Sequence, residues 1–214
     1  MNENRLRSAL EIATAILLGL VSTATAAGAY QASTWAQDSG RYSAASGQLR
    51  DQSLSSFIAS ELAAFDDGER IFDALVIEFE IMAAEPGSDL EDLRDQSDVI
   101  LMGGSPQLFG DWTIWVDSGY ANDKLPATSV AYASEMYAPT FAANRASAVA
   151  AGLADELGAR SLQQTVASVI FALALLLLGV SGANASLKVS FGLAVGGACA
   201  FLVGVVISVL AAIG

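Results

Sequence analysis

The stretch IATAILLGLVSTATAAGAYQASTWAQ, Ile12 to Gln37, decides how the rest of the chain is read. It carries no charge. Arg5 and Arg7 precede it, Glu11 sits at its edge, and it closes on Tyr30 and Trp35. Amphipathic aromatics gather where a helix leaves the bilayer, so Glu11, Tyr30 and Trp35 are candidate membrane-interface residues. The stretch has the length of a membrane span, and no proline follows until Pro86. Nothing in the covalent structure ends the helix at the interface, and the spacing predicts that it runs on into water. Arg5 and Arg7 with Ala24-Thr25-Ala26 also look like a cleavable signal segment; Glu11, just ahead of a short apolar run, favours a retained span.

Two further segments, Thr165 to Gly182 and Val189 to Ile213, are also uncharged and about long enough to cross a bilayer. Charge is packed between spans one and two. Residues 31–161 hold 7 Lys+Arg and 21 Asp+Glu, a net of −14 against −13 for the whole chain. Such acidity argues against a nucleic-acid surface. Arg5, Arg7 and Lys188 are the basic residues of the short flanking segments. Placed inside, they predict a multi-pass protein of the cytoplasmic membrane, with its N-terminus cytoplasmic and residues 36–161 and the C-terminus extracytoplasmic.

The expected organisation is an N-terminus and first span over 1–35, an acidic helical domain over 36–161, and spans two and three over 162–214. Leu54, Phe57, Ile58, Leu62 and Phe65 recur at helical spacing, and Ile71, Phe72, Leu75, Val76, Phe79 and Met82 resume the pattern. Gly68 between these runs leaves open one helix or two. Glu85-Pro86-Gly87-Ser88 signals a stop, opening an irregular cap over 85–127. Within it Asp89 to Leu101 reads as a short helix, and FGDWTIWVDSGY (109–120) as a short strand or buried loop. An alanine-rich helical run from about Thr128, interrupted at Pro139, enters span two without a breaker. The fold class predicted is all-α: three transmembrane helices, with the first two extended into an extracytoplasmic antiparallel bundle that buries their apolar stripes.

Small residues are patterned inside the spans. Gly192, Gly196, Ala200, Gly204 and Ser208 follow one another at i+4, a ridge that lets helix backbones approach and marks helix-packing candidates. Chemistry is not evident. Histidine is absent and Cys199 is the only cysteine, which removes the usual zinc, haem and Cys/His ligand sets. The acidic clusters at 66–73 and 89–98 lack the glycine and glutamate spacing of a calcium loop. No cofactor, metal or catalytic residue is expected. The expected partners are the lipid bilayer and further copies or subunits of a membrane complex.

The segment AYQASTWAQDSGRYSAASGQLR (29–50), through Tyr30, Gln31, Ser33, Trp35, Tyr42, Ala45 and Arg50, resembles a group of uncharacterised small prokaryotic three-span membrane proteins. TVASVIFALALLLLGVSG (165–182) is similar to the same group. The resemblance implies three spans and an outside helical domain, and no activity. The functional expectation is therefore a homo-oligomeric or complex subunit with a structural or accessory role. The alternative is an ion-conducting homo-oligomer with an acidic vestibule.

Overall fold

With no proline and no glycine pair between residues 12 and 85, the chain forms one uninterrupted helix, α1, over Glu3–Ala83. Gly40, Gly47 and Gly68 all lie inside it, so the Gly68 question resolves as a tolerated helical glycine. The computed structural model describes residues 3–85, 89–120, 125–183 and 186–213; the expected stop at Pro86-Gly87-Ser88 lies outside them. After α1 come α2 (Glu91–Met102), α3 (Pro106–Asp117), α4 (Val130–Met136), α5 (Ala138–Ala183) and α6 (Leu187–Ile213). Among the described residues there is no strand. Three of the helices, α1, α5 and α6, are long and apolar enough to cross a membrane.

The segment 109–120 departs from the strand or loop reading: it forms most of α3. Ser105 in extended geometry and Pro106 in the first turn start the helix, the position where a missing N–H costs nothing. Gly119 (φ +72°) and Tyr120 (φ +65°) end it in left-handed conformation. The break between α4 and α5 falls at Tyr137, which places Pro139 in the first turn of α5, where proline is tolerated.

The chain divides into two compact units, Met1–Ala45 with Val149–Gly214, and Ser46–Ala148. In the first unit, the buried faces repeat every seven residues, the spacing of coiled-coil seams. They are Thr14, Val21 and Gly28 on α1, Gln164, Phe171 and Leu178 on α5, and Ser190, Gly197, Gly204 and Ala211 on α6. Val21, Ala167, Phe171, Ala174 and Leu178 make its core. Two hydroxyls tie α1 to α5 there: Ser161 Oγ donates to Ala32 O at 2.9 Å, and Ser39 Oγ to Ala154 O at 2.7 Å.

In the second unit the same kind of seam recurs. Ser46 and Ser147 meet at 3.1 Å, Ser53 Oγ donates to Thr140 O at 3.3 Å, and Ser60 Oγ to Met136 O at 2.7 Å. Ser46, Ser53 and Ser60 are thus the contact face of α1 in this unit, and all three are buried. The apolar residues expected there are not. Leu54, Ile58, Leu62 and Phe65 are exposed, and Phe57 is turned toward Tyr137 with ring centroids 6.0 Å apart. The reason is fit: α5 offers Thr140, Ala143 and Ser147, and a face that small admits a backbone approach which large side chains on α1 would prevent. The cap has its own core, Ala74, Leu101, Leu108, Trp112, Trp115 and Tyr132.

Candidate functional site

Inside the first unit, the hydroxyls of span one close on their own helix. Ser22 Oγ donates to Leu18 O, Thr23 Oγ1 to Gly19 O and Thr25 Oγ1 to Val21 O, each four residues back. A polar stripe satisfied in this way needs no water. Gln164, buried on α5, exchanges two hydrogen bonds with Ser208 of α6, at 2.8 and 2.9 Å. Gly28 makes room for it: a Cβ there would stand 2.7 Å from Gln164 Nε2. Ser181 donates to Ser190 O at 2.7 Å, and Ser190 Oγ returns a bond to Ser181 O across the α5–α6 connection.

The i+4 row on α6 is divided by this packing. A Cβ on Gly204 would press into the Phe171 ring, Ala200 packs against the core, and Ser208 holds Gln164. Gly196 has only Leu177 Cδ1 near it, at 3.8 Å, and Gly192 faces open space. An i+4 row winds about 40° per step around a helix, so its ends look in different directions, whereas the seven-residue set from Ser190 to Ala211 keeps one heading. Of the membrane-interface candidates, Glu11 Oε1 pairs with Arg7 Nε at 3.4 Å, Tyr30 is exposed and Trp35 half-buried. Ala9 and Leu10 line an apolar cleft of about 490 Å³ with Leu187, Lys188 and Phe191, so the start of α1 and the α5–α6 connection share one end of this unit.

In the second unit, an apolar stripe runs along α1 exposed among the described residues. Ile58 (52% exposed), Phe65 (75%), Phe72 (67%) and Phe79 (63%) stand seven residues apart. Leu54, Leu62 and Val76, also exposed, fall within about 100° of them at 100° per residue. Asp51, Glu61, Glu69, Asp73 and Glu80 share or border that face.

Behind the stripe lies a polar network. Asp67, 2% exposed, accepts from Ser105 N–H at 2.9 Å and from Tyr132 OH at 2.8 Å. Burial, then the bond to Asp67, pushes the Tyr132 phenol well above its usual range. Tyr120 OH donates to Glu78, and burial together with that bond raises the Tyr120 pKa to about 12. Tyr137 OH donates to Glu61 at 2.7 Å, which raises its pKa too. No group of three His, Cys, Asp or Glu side chains among the described residues is placed to hold a metal ion.

These features define an all-helical protein with three helices able to cross a membrane and a polar, aromatic cap. Compared with known proteins, the chain matches no family model, no curated protein and no solved structure. Of the expected resemblance to small prokaryotic three-span membrane proteins, what is supported is three helices long and apolar enough to cross a membrane. The serine seam and the exposed aromatic row were both missed by counting apolar residues alone; the seven-residue recurrence of Ser39, Ser46, Ser53 and Ser60 was the signal available.

Proposed function

We propose that the chain is a structural or accessory subunit of a homo-oligomer in the cytoplasmic membrane. In this reading Arg7 and Lys188 face the cytoplasm, and the acidic unit forms an extracytoplasmic antiparallel helical bundle. The observation that carries it is the unpartnered stripe on α1. Three phenylalanines at these exposures offer roughly 400 Å². The aliphatic members add roughly as much again. That total is close to the ~800 Å² per partner of a standard interface. Monomeric proteins rarely leave so large an apolar face uncovered.

A second copy is the favoured occupant. Copies inserted in one membrane in the same sense present their stripes in parallel, and a seven-residue repeat is what parallel helix pairing requires. Like charges oppose it, at a few tenths of a kcal/mol for each exposed pair. Burying ~800 Å² of apolar surface is worth on the order of 20 kcal/mol before the cost of association, so the apolar term wins. The balance predicts a signature: self-association strengthens with added salt, as carboxylate repulsion is screened. The test is mass measurement of the full chain in mild detergent across salt concentrations. Multiples of 22.0 kDa that grow with salt, and that collapse to the single-chain mass in Phe65→Asp/Phe72→Asp, support the reading. A monomer under all conditions refutes it, and so does a foreign subunit retained best at low salt.

A further inference from the structure

The apolar cleft shared by the starts of α1 and α6 carries its charge at one end only. Ala9 and Leu10 line it from α1, and Leu187, Lys188 and Phe191 from α6. Lys188 is exposed, and it is the sole charged residue of the α5–α6 connection. Among the described residues its ammonium pairs with no carboxylate, whereas Arg7, Arg41, Arg70 and Arg160 each pair along their own helix. Phe191 lies three residues beyond Lys188 on α6, and Leu10 three residues beyond Arg7 on α1. On both helices the basic residue therefore precedes an apolar one by about one turn, on nearly the same side. The cleft is cationic at its rim and apolar one turn deeper.

Arg7 is already matched by Glu11, so the uncompensated charge at the rim is that of Lys188. Two helix starts, α1 and α6, and one helix end, α5, meet at this end of the unit, which leaves the backbone dipoles favourable to an anion. The reciprocal bonds between Ser181 and Ser190 fix the start of α6 against α5, so the rim is formed before anything binds. The cleft volume of about 490 Å³ holds roughly sixteen groups at ~30 Å³ each, which is about one acyl chain. A free phosphate would leave the apolar walls unused. An apolar helix laid in the cleft would cover Lys188 without a counter-charge, an expensive burial.

From the unpaired Lys188 at the rim and the apolar walls one turn deeper, we infer that this cleft is a binding site for one anionic phospholipid. One acyl chain lies between Leu10, Leu187 and Phe191, and the headgroup phosphate accepts from Lys188 Nζ, a charge-assisted hydrogen bond. The inference rests on the reading that places Lys188 at the cytoplasmic headgroups, the leaflet where anionic lipids gather; it does not depend on the number of chains in the assembly. The apolar cleft accepts the tail of any lipid, and Lys188 does the selecting. A zwitterionic choline headgroup brings its own cation, which Lys188 repels, so discrimination comes from the headgroup and not from the tail.

The test uses the full chain in mild detergent, stripped of lipid and given phosphatidylglycerol, phosphatidylcholine with the same acyl chains, or glycerol 3-phosphate. Native mass spectrometry counts what each chain retains. Phosphatidylglycerol is held at one per chain and about fivefold over phosphatidylcholine, the contribution of one basic residue at an anionic lipid surface. Glycerol 3-phosphate, which has the phosphate and no tail, is not held. Lys188→Gln retains the two lipids alike, while Arg145→Gln, which removes an exposed charge from the second unit, keeps the parent's preference. Ala9→Phe fills the cleft from an exposed position and lowers retention of both lipids. Phe65→Asp/Phe72→Asp gives the parent's count per chain, so a failure of the oligomer reading leaves this result standing. The inference is overturned if the parent holds both lipids equally or neither, or if Lys188→Gln keeps the preference. It is overturned equally if Ala9→Phe retains lipid as the parent does, or if glycerol 3-phosphate is held as tightly as the lipid.

Discussion

Replacing Gly204 by alanine tests the packing of the membrane unit with a single methyl group. The new Cβ would lie 2.5 Å from Phe171 Cε1, 2.7 Å from Cδ1 and 3.2 Å from Cζ. Favourable carbon contacts begin near 3.5 Å, so ring or helix must move by about 1 Å. The ring has little freedom to do so: Phe171 is almost fully buried, and Phe201 stands against it with centroids 5.7 Å apart. Overpacking of this kind costs about 1–3 kcal/mol. Alanine recovers up to about 1 kcal/mol of helix propensity, leaving a net loss of about 1–2 kcal/mol. Gly192→Ala is the counterpart. Nothing lies within 4 Å of its Cβ position, so only the propensity gain remains. Both variants are read by SDS titration in mixed micelles, following helical circular dichroism. They should move in opposite directions, and Phe171→Leu should restore much of what Gly204→Ala loses, a coupling that a double-mutant cycle isolates. Equal stabilities for Gly204→Ala and Gly192→Ala would refute the assignment of the seven-residue face of α6 as its contact surface.

Two further outcomes concern the cap. Asp67→Ala removes the acceptor from two buried donors, Ser105 N–H and Tyr132 OH, and should cost about 3 kcal/mol in denaturant unfolding followed by near-UV dichroism of the tryptophans; a loss well below 1 kcal/mol would show that the network contributes little. The raised Tyr120 pKa gives an alkaline limit: the native state holds this proton more tightly than the unfolded chain, so its stability contribution is complete below pH 10.0 and is lost as pH climbs toward about 12. Tyr120→Phe should flatten that decline, and a pH profile identical to the parent's would contradict the Glu78 bond as its source.

The three apolar helices were legible because hydrocarbon length and absence of charge are properties of sequence itself. The continuity of α1 was legible for a similar reason, since neither proline nor paired glycine interrupts it. What misled was the equation of apolar with buried. Leu54, Ile58, Leu62 and Phe65 announce a helix correctly through their period, yet they lie on the exposed side of α1. The face that α5 takes is written in serine, which carries no hydropathy signal and whose hydroxyls are satisfied only once a partner carbonyl is in place. On α6 the i+4 row was conspicuous, but 3.6 residues per turn rotates such a row away from any straight neighbour, and only its later members reach Phe171 and Gln164. Residues 109–120 misread as strand or loop because dense aromatics mimic strand composition; Pro106 after Ser105 was the start signal for α3. The cap's packing brings together side chains from α1, α2 and α3, such as Glu78, Arg94 and Asp117, and no spacing along the chain announces that.

The serine seam of the second unit also determines how its two long helices respond to a push. A seam of alanine and serine alone is smooth, because no bulky side chain has to climb out of a socket when one helix slides along the other. Hydroxyl bonds to α5 at Ser46 and Ser53 act as detents on that smooth track, and Ser60 adds one to the last residue of α4. A slip of one residue along α5, about 1.5 Å, takes Ser46 and Ser53 off their partners together, and the next position where serines align lies seven residues away, about 10 Å. Each bond is worth only about 1 kcal/mol, but they must break at once. Displacement of α1 along its axis within this unit therefore carries α5 with it, and the pair transmits thrust without creeping out of register.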